Sequence, residues 1–563
     1  MRGGCGHGWR GRGRRLVAVV GVLAAAAVAG IAPQTAQAGP GVRADRLAAG
    51  ESGAALVRTD AGWVRGQVTR EGRQFLGIPY ARQPVGELRW TEPRPVEPWR
   101  GVREATEFGN RCVQTASWDP GYEQPTHTED CLDLNVYVPE GRAGSGAAGG
   151  GEGKRPVMVW LHGGGLTAGA GADIVPDRFA RTTGTVVVTV NYRLGALGFL
   201  AGPELDGEAS DGVSGNYGLL DQQAALRWVR AHAGRFGGDP RRVTVAGESA
   251  GGRSVCTHLA SPTGRGLFRS AVVESGAYDD CAGRERRRAA GDGAAFARKA
   301  GCPDPATAVA CLRARPAKDL LAAQAGFDWG PVVGGSFLPV QPKVAFARGS
   351  AAGVPVLNGA NTDEGTLFAF AQYDGRGRPL TAEQYPAALD RTYGAELGER
   401  VLRRYPLAGY ATPTHALAAT LGDEIFACSA LRLGGSLARR GPVYAYEFAD
   451  RTSPPFASLR KLGTDFAFGA THVNEVQYLF KHFGLETPLN AEQRVLARQM
   501  TRYWSSFIHS GVPRADGGPD APDQRTRPGD VLALRTASAG GNAVVGTAHR
   551  AHHCDLWDAA ARR

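Results

Sequence analysis

The stretch Gly247-Glu248-Ser249-Ala250-Gly251-Gly252 constrains this chain more than any other, because of what stands on either side of it. Before it runs a short β-branched segment, Val243-Thr244-Val245-Ala246, and after it a helix-compatible one from Arg253 to Leu259. Small residues around one serine permit the sharp strand-to-helix turn that lifts a hydroxyl clear of a sheet edge. The helix that follows points its N-terminus at the same place, so the Ala250 amide faces any oxyanion formed there. An ordinary glycine-rich turn is the plain alternative. The strand before and the helix after favour a nucleophile.

A second element fits the first. The run Val157-Met158-Val159-Trp160-Leu161 ends in His162-Gly163-Gly164-Gly165, where backbone amides lie open to a negative oxygen that side chains would keep away. A tight turn is the alternative here too, yet donors oriented before charge develops are worth about 3 kcal/mol each to a transition state.

Other β-branched runs recur at Val186–Val190, Val354–Leu357, Val443–Tyr446 and Val531–Leu534. Apolarity without alternation is the mark of strands covered on both faces, and helical periodicity, as from Leu219 to Ala231, lies between them. The pattern predicts an α/β fold with a central, mostly parallel sheet and helices on both faces. Residues 141–153, almost wholly Gly, Ala and Ser, read as a flexible loop between strands; no Gly-Lys-Ser/Thr follows to make them a phosphate loop. Residues 514–529 read as a surface loop before a last strand at Val531–Leu534.

The N-terminus is read as a secretion signal, residues 1–38. Arg10, Arg12, Arg14 and Arg15 precede a 17-residue apolar run, and Ala36-Gln37-Ala38 offers small residues for cleavage after Ala38. A membrane anchor wants about 20 such residues, so no stable membrane insertion is expected. The pair Arg14-Arg15 is a weak twin-arginine signal beside the ordinary export route. Of the net charge of +11, five arginines leave with this segment and +6 remains, which calls for no nucleic acid partner. The basic run Arg284–Arg288 lacks interleaved aromatics and reads as a solvated helix face. Of 9 cysteines, Cys5 departs with the signal; an even number in an exported chain predicts disulfides.

The chain resembles the type-B carboxylesterase family, the α/β-hydrolases that include acetylcholinesterase and bile-salt lipase. Beyond the serine turn, the resemblance rests on Phe75-Leu76-Gly77-Ile78-Pro79-Tyr80-Ala81, Glu129-Asp130-Cys131-Leu132-Asp133-Leu134-Asn135-Val136-Tyr137, Asn191-Tyr192-Arg193-Leu194-Gly195, Gly215-Asn216-Tyr217-Gly218-Leu219-Leu220-Asp221-Gln222 and Asn361-Thr362-Asp363-Glu364-Gly365. These span about residues 55 to 560, which makes 55–563 the hydrolase domain and 39–54 an N-terminal extension. Asp133 stands where the family usually carries an aromatic, a departure read as a surface-strand detail.

The resemblance implies a serine esterase with no cofactor, acting on a small-molecule ester. Ser249 would be the nucleophile, Glu364 the acid and His472 the base, in the chain order of this fold. Without the family, His472 would compete with His258, His415, His482, His509, His552 and His553. Gly164, Gly165 and Ala250 would hold the oxyanion, while Ser275 and Glu475 would sit behind the histidine. Glu248 would tune the site or serve as a structural link. The same comparison pairs Cys112 with Cys131, Cys302 with Cys311 and Cys428 with Cys554, leaving Cys256 and Cys281 as a fourth bridge or two thiols. His552-His553-Cys554 lacks further ligands for a metal.

Trp118 and Tyr122 stand between Cys112 and Cys131, and in cholinesterases a Trp of that loop holds quaternary ammonium. The loop is shorter here, and Leu367 and Phe368 after the acid point to an apolar wall and a neutral ester of short or medium acyl chain. Two rivals remain at this level: a non-catalytic binding protein of the same fold, and the same chemistry on an amide, thioester or lactone.

Overall fold

The computed structural model describes residues 55–116, 123–140, 154–349 and 352–561. The signal segment, the Gly/Ala/Ser stretch 141–153, Trp118 and Tyr122 lie outside the described residues.

A 13-stranded sheet organises the chain. Its first part is antiparallel: Ala55–Arg58, Trp63–Thr69, Gly72–Pro79 and Asp133–Pro139 follow one another, the last pairing antiparallel with Val186–Val190. From there the order is Arg155–Leu161, Gly238–Glu248, Ser270–Glu274, Val356–Asn361, Val443–Phe448 and Val531–Leu534, all parallel. Val531–Leu534 is not the last strand, because Ala543–Val545 pairs antiparallel beyond it and closes the edge.

The parallel strands carry apolar residues on both faces because they feed two cores at once. Side chains alternate between faces, so Val157, Val159 and Leu161 enter one cluster with Val186, Val188, Val190, Val243 and Val245, while Met158, Trp160 and Val187 enter the other. Among the strands that the β-branched runs did not reveal, Trp63–Thr69 is half exposed with polar residues between Val64 and Val68, and Ser270–Glu274 has only three apolar residues.

Two expectations are corrected by burial. Asp133 is no surface residue: it is 6 % exposed, with its Cβ and carboxyl packed close against Gly109. Burial, followed by Asp130, pushes its carboxyl up to about 7. Arg284 is likewise buried, 3.6 Å from Asp292 and stacked over Trp329, so the basic run is only partly a solvated face.

Among the described residues there are four disulfides: Cys112–Cys131, Cys256–Cys281, Cys302–Cys311 and Cys428–Cys554. Cys256 and Cys281 therefore form the bridge that the sequence left open.

Candidate active site

Parallel strands end at one edge, and that edge carries the site. Gly247 pairs with Leu161, and Glu248 with Glu274, which pairs in turn with Gly359. This register brings the loops after Leu161, Glu248 and Asn361 side by side. The loop holding His472 follows Val443–Phe448, the next strand over.

Ser249 joins the strand Gly238–Glu248 to the helix Ala250–Ala260 with φ 54° and ψ −121°. A non-glycine residue there costs roughly 1–3 kcal/mol, and the surroundings hold it: Ser249 N–H donates to Glu274 O at 2.9 Å, and Arg253 N–H to Ser249 O at 2.8 Å. The glycines are steric requirements. A Cβ on Gly251 would lie 1.9 Å from Leu161 O, so any side chain would drive the helix from the sheet.

His472, 3 % exposed, has Nδ1 2.5 Å from Glu364 Oε2 and Nε2 2.9 Å from Ser249 Oγ. With its proton on Nδ1, donated in a hydrogen bond to the carboxylate, the imidazole leaves Nε2 free to accept the serine proton. Glu364 is fully buried, and its other oxygen accepts Ser275 Oγ–H at 2.5 Å and Asn361 N–H at 2.7 Å. Asp363 turns away: its carboxylate accepts Ala470 N–H at 3.0 Å and Arg451 Nε–H at 3.1 Å. The competing histidines are occupied elsewhere. His258 meets Gln222, His415 and His509 meet carbonyls, His482 stacks on Phe483, His552 lies between Asp423 and Glu447, and His553 abuts Tyr405.

The glycine run lies against the serine, since a Cβ on Gly163 would fall 3.3 Å from Ser249 Cβ. Gly164 has φ 99°, and a Cβ there would stand 2.3 Å from Ala168 O, which excludes other residues. The Gly164 and Gly165 N–H groups donate to no described residue. Ala250, first in its helix, has no intrahelical acceptor for its N–H. These are the donors an oxyanion needs.

Glu248 Oε1 is 3.3 Å from His472 Nε2 and lacks a hydrogen-bond partner. Burial, then Glu364 and Glu274, raises its carboxyl well above the ordinary range. Glu475 is raised in the same direction, by burial and then Glu248, Glu274 and Glu364; its Oε2 accepts Asn361 Nδ2–H. Burial thus moves both in the same direction, while Glu364 makes the short contact to His472 Nδ1. Of the two apolar residues after the acid, only Phe368 meets the site, its ring 5.1 Å from His472, while Leu367 packs with Phe370 and Phe468 in a side cluster. Residue-level reading missed Phe426, 4.8 Å from His472 and part of no local pattern, and gave no role to Asn361, which opens the Asn361–Gly365 motif and serves both Glu364 and Glu475. No group of three or more His, Cys, Asp or Glu among the described residues is arranged to hold a metal ion.

Residues 53–557 match the model of the family described as "Carboxylesterase family". The chain is 34% identical over 546 residues to a "Cocaine esterase" of Oryctolagus cuniculus, covering 90% of this chain and 96% of that protein. It is 36% identical to a "Fumonisin B1 esterase" of Sphingopyxis macrogoltabida (81% and 82% covered) and 34% to a "Para-nitrobenzyl esterase" of Bacillus subtilis (strain 168) (82% and 91%). Among solved structures, one titled "PNB ESTERASE" superimposes with a TM-score of 0.73 at 30% identity, covering 89% of this chain and 99% of that one.

Proposed function

The chain belongs to the carboxylesterase family and is a carboxylic ester hydrolase, and from that premise we propose that it works through an acyl-enzyme intermediate on Ser249, with His472 as general base and Glu364 as its partner. His472 takes the serine proton as Oγ attacks the ester carbonyl carbon, and the carbonyl oxygen becomes an oxyanion received by the amides of Gly164, Gly165 and Ala250. Collapse breaks the bond to the alkoxy oxygen, which leaves with the proton from His472. Water, deprotonated by the same imidazole, then releases the acid and restores the serine. Glu364 stays ionised throughout and steadies the imidazolium.

The observation that carries this reading is the continuous contact Ser249 Oγ, His472 Nε2, His472 Nδ1, Glu364 Oε2 at 2.9 and 2.5 Å. Phe368 and Phe426 beside the histidine favour a neutral ester with an apolar acyl or alcohol part. Ser275 and Glu475 support the acid and its neighbours. The reading includes export: residues 1–38 form a signal cleaved after Ala38, 39–54 an extension and 55–563 the hydrolase domain, and four disulfides are compatible with it. No helix among the described residues is long and apolar enough to cross a membrane.

A fluorophosphonate probe tests the nucleophile. Intact mass should rise by one adduct, peptide mapping should find it on Ser249, and ester hydrolysis should stop in proportion. Adduct on another serine, or full activity in Ser249→Ala, defeats the assignment.

A further inference from the structure

The helix Pro413–Gly422 runs through a π turn, Asp423–Ala427, into the helix Cys428–Leu437. Such insertions are rare and gather at functional places, because an extra residue in the turn rotates all that follows. Here the turn carries Phe426. Its ring lies 4.8 Å from the His472 imidazole, stacks on Phe368 at 5.5 Å and meets Tyr278 edge-on at 5.8 Å. The imidazole, committed at its two nitrogens to Ser249 and Glu364, is thus packed against two phenyl rings, Phe368 and Phe426.

The π turn is fastened at both ends by the C-terminal segment. Downstream, Cys428 is bonded to Cys554. Upstream, Asp423 Oδ1 lies 2.6 Å from His552 Nδ1, and Asp423 Oδ2 accepts Tyr405 O–H at 2.8 Å. The other nitrogen of His552 is 2.6 Å from Glu447 Oε1, on the strand beside the one that leads to Glu364. An imidazole facing a carboxylate at each nitrogen needs both N–H groups and is therefore a cation. Burial opposes the charge, but Asp423 and then Glu447 outweigh it and push His552 up to about 10. Arg404 and Asp555 lie about neighbouring His553, and Arg535 and Thr362 about Glu447.

Resting on the reading of His472 as the base, we propose that His552 is a positioning residue for ester hydrolysis: it ties Asp423 to Glu447 and so keeps the π turn in the register that lays Phe426 against His472. Released, the turn can relax to ordinary α-helix, and winding its extra residue into the helix rotates the neighbouring side chains by about 100°. Phe426 then leaves the imidazole, and the proton relay loses its lateral support.

The test uses the full chain with His552→Gln, Asp423→Asn and Phe426→Leu, and with His552→Gln and Phe426→Leu combined. kcat and KM are measured on p-nitrophenyl acetate, normalised to serines titrated by fluorophosphonate. His552→Gln should lower kcat about tenfold, with KM changed less than about threefold, as a displaced catalytic group does. Phe426→Leu should do the same, and the double variant should be no worse than the poorer single one, because both act through one contact. In the unaltered protein kcat should fall as pH rises through about 10, and this limb should be missing from His552→Gln. Undiminished kcat in His552→Gln, additive losses in the double variant, or an unchanged alkaline limb overturns the proposal. Should His552→Gln fail to fold, Asp423→Asn carries the same comparisons, and full kcat in the folded Asp423→Asn protein overturns it equally. Absence of labelling at Ser249 in the unaltered protein defeats the underlying reading instead, whatever the variants do.

Discussion

Two carboxylates stand next to each other in the chain, and their side chains part company. Glu364 reaches His472, Ser275 and Asn361, whereas Asp363 clasps the Ala470 amide and Arg451 at the base of the histidine loop. Glu364→Gln should therefore lower kcat by about 10⁴ with a small change in stability, as loss of a tautomer-fixing carboxylate does in serine hydrolases. Asp363→Asn should keep most of kcat per folded molecule and lower the unfolding midpoint. Steady-state kinetics and a denaturant titration on both proteins check this; the reverse pattern would move the acid to Asp363. At this scale Ser249 was legible because its signal is local, with six adjacent residues between a strand and a helix. His472 was not legible without the family resemblance, since its Gly/Ala/Thr-flanked segment suits a loop that reaches a cleft but does not single it out among the other histidines.

Between elements, close approach decides what substitutions the fold tolerates. The helix Ala250–Ala260 sits so near the strand Arg155–Leu161 that a methyl group on Gly251 would meet Leu161 O at 1.9 Å. Gly251→Ala should cost well over about 3 kcal/mol, enough to leave little soluble protein, while Gly291→Ala, with nothing near its Cβ, should be neutral or stabilising. Circular dichroism and expression yield separate the two. The same helix is stapled by Cys256–Cys281 to the loop after Ser270–Glu274, where Asp279, Asp280 and Cys281 all have positive φ. Removing this bridge with Cys256→Ala and Cys281→Ala should cost about 2–4 kcal/mol in guanidinium unfolding. Strand and helix positions near the site were readable from β-branched runs. The π turn was not, because the side chains that hold its Asp423, those of Tyr405 and His552, lie outside its own sequence.

Over the whole molecule, buried titratable groups set how stability depends on pH. Burial lowers His162 to about 4, His258 to about 3 and His482 to about 4, so the unfolded chain takes up protons below about 6.5 that the folded one refuses. These groups make stability fall as pH falls from about 6.5 towards 4. Glu248, Glu274, Glu475 and Asp133 are raised by burial and keep protons that the unfolded chain releases above about 4.5; they make stability fall as pH rises. His552, raised to about 10, adds stability that is full below about 6.5 and is lost as pH climbs through 10. The two sets oppose each other between about 4.5 and 6.5 and leave only the declining set above it, so the stability maximum belongs in that window. Guanidinium midpoints from pH 4 to 9 check this, and a maximum above pH 8 would contradict it. Thiol counting on denatured, unreduced protein purified from culture medium should find none among the eight cysteines of the four bridges.

What the sequence determined by itself is whatever short-range physics encodes: strands apolar on both faces, a glycine run with free amides, and hence an α/β sheet with, at its edge, a serine turn that only small residues can make. What only the tertiary structure decided is which distant groups meet there. Asp133 turned out buried because a strand's exposure is set by what packs over it, here Gly109, and not by its own residues. Phe426, Asn361 and His552 reach the site or its supports across gaps of roughly 110 to 300 residues from Ser249, closed by the parallel crossovers and the C-terminal disulfide. A contact across such a gap leaves no periodicity in the chain, because its geometry exists only once the sheet has brought the loops to one edge.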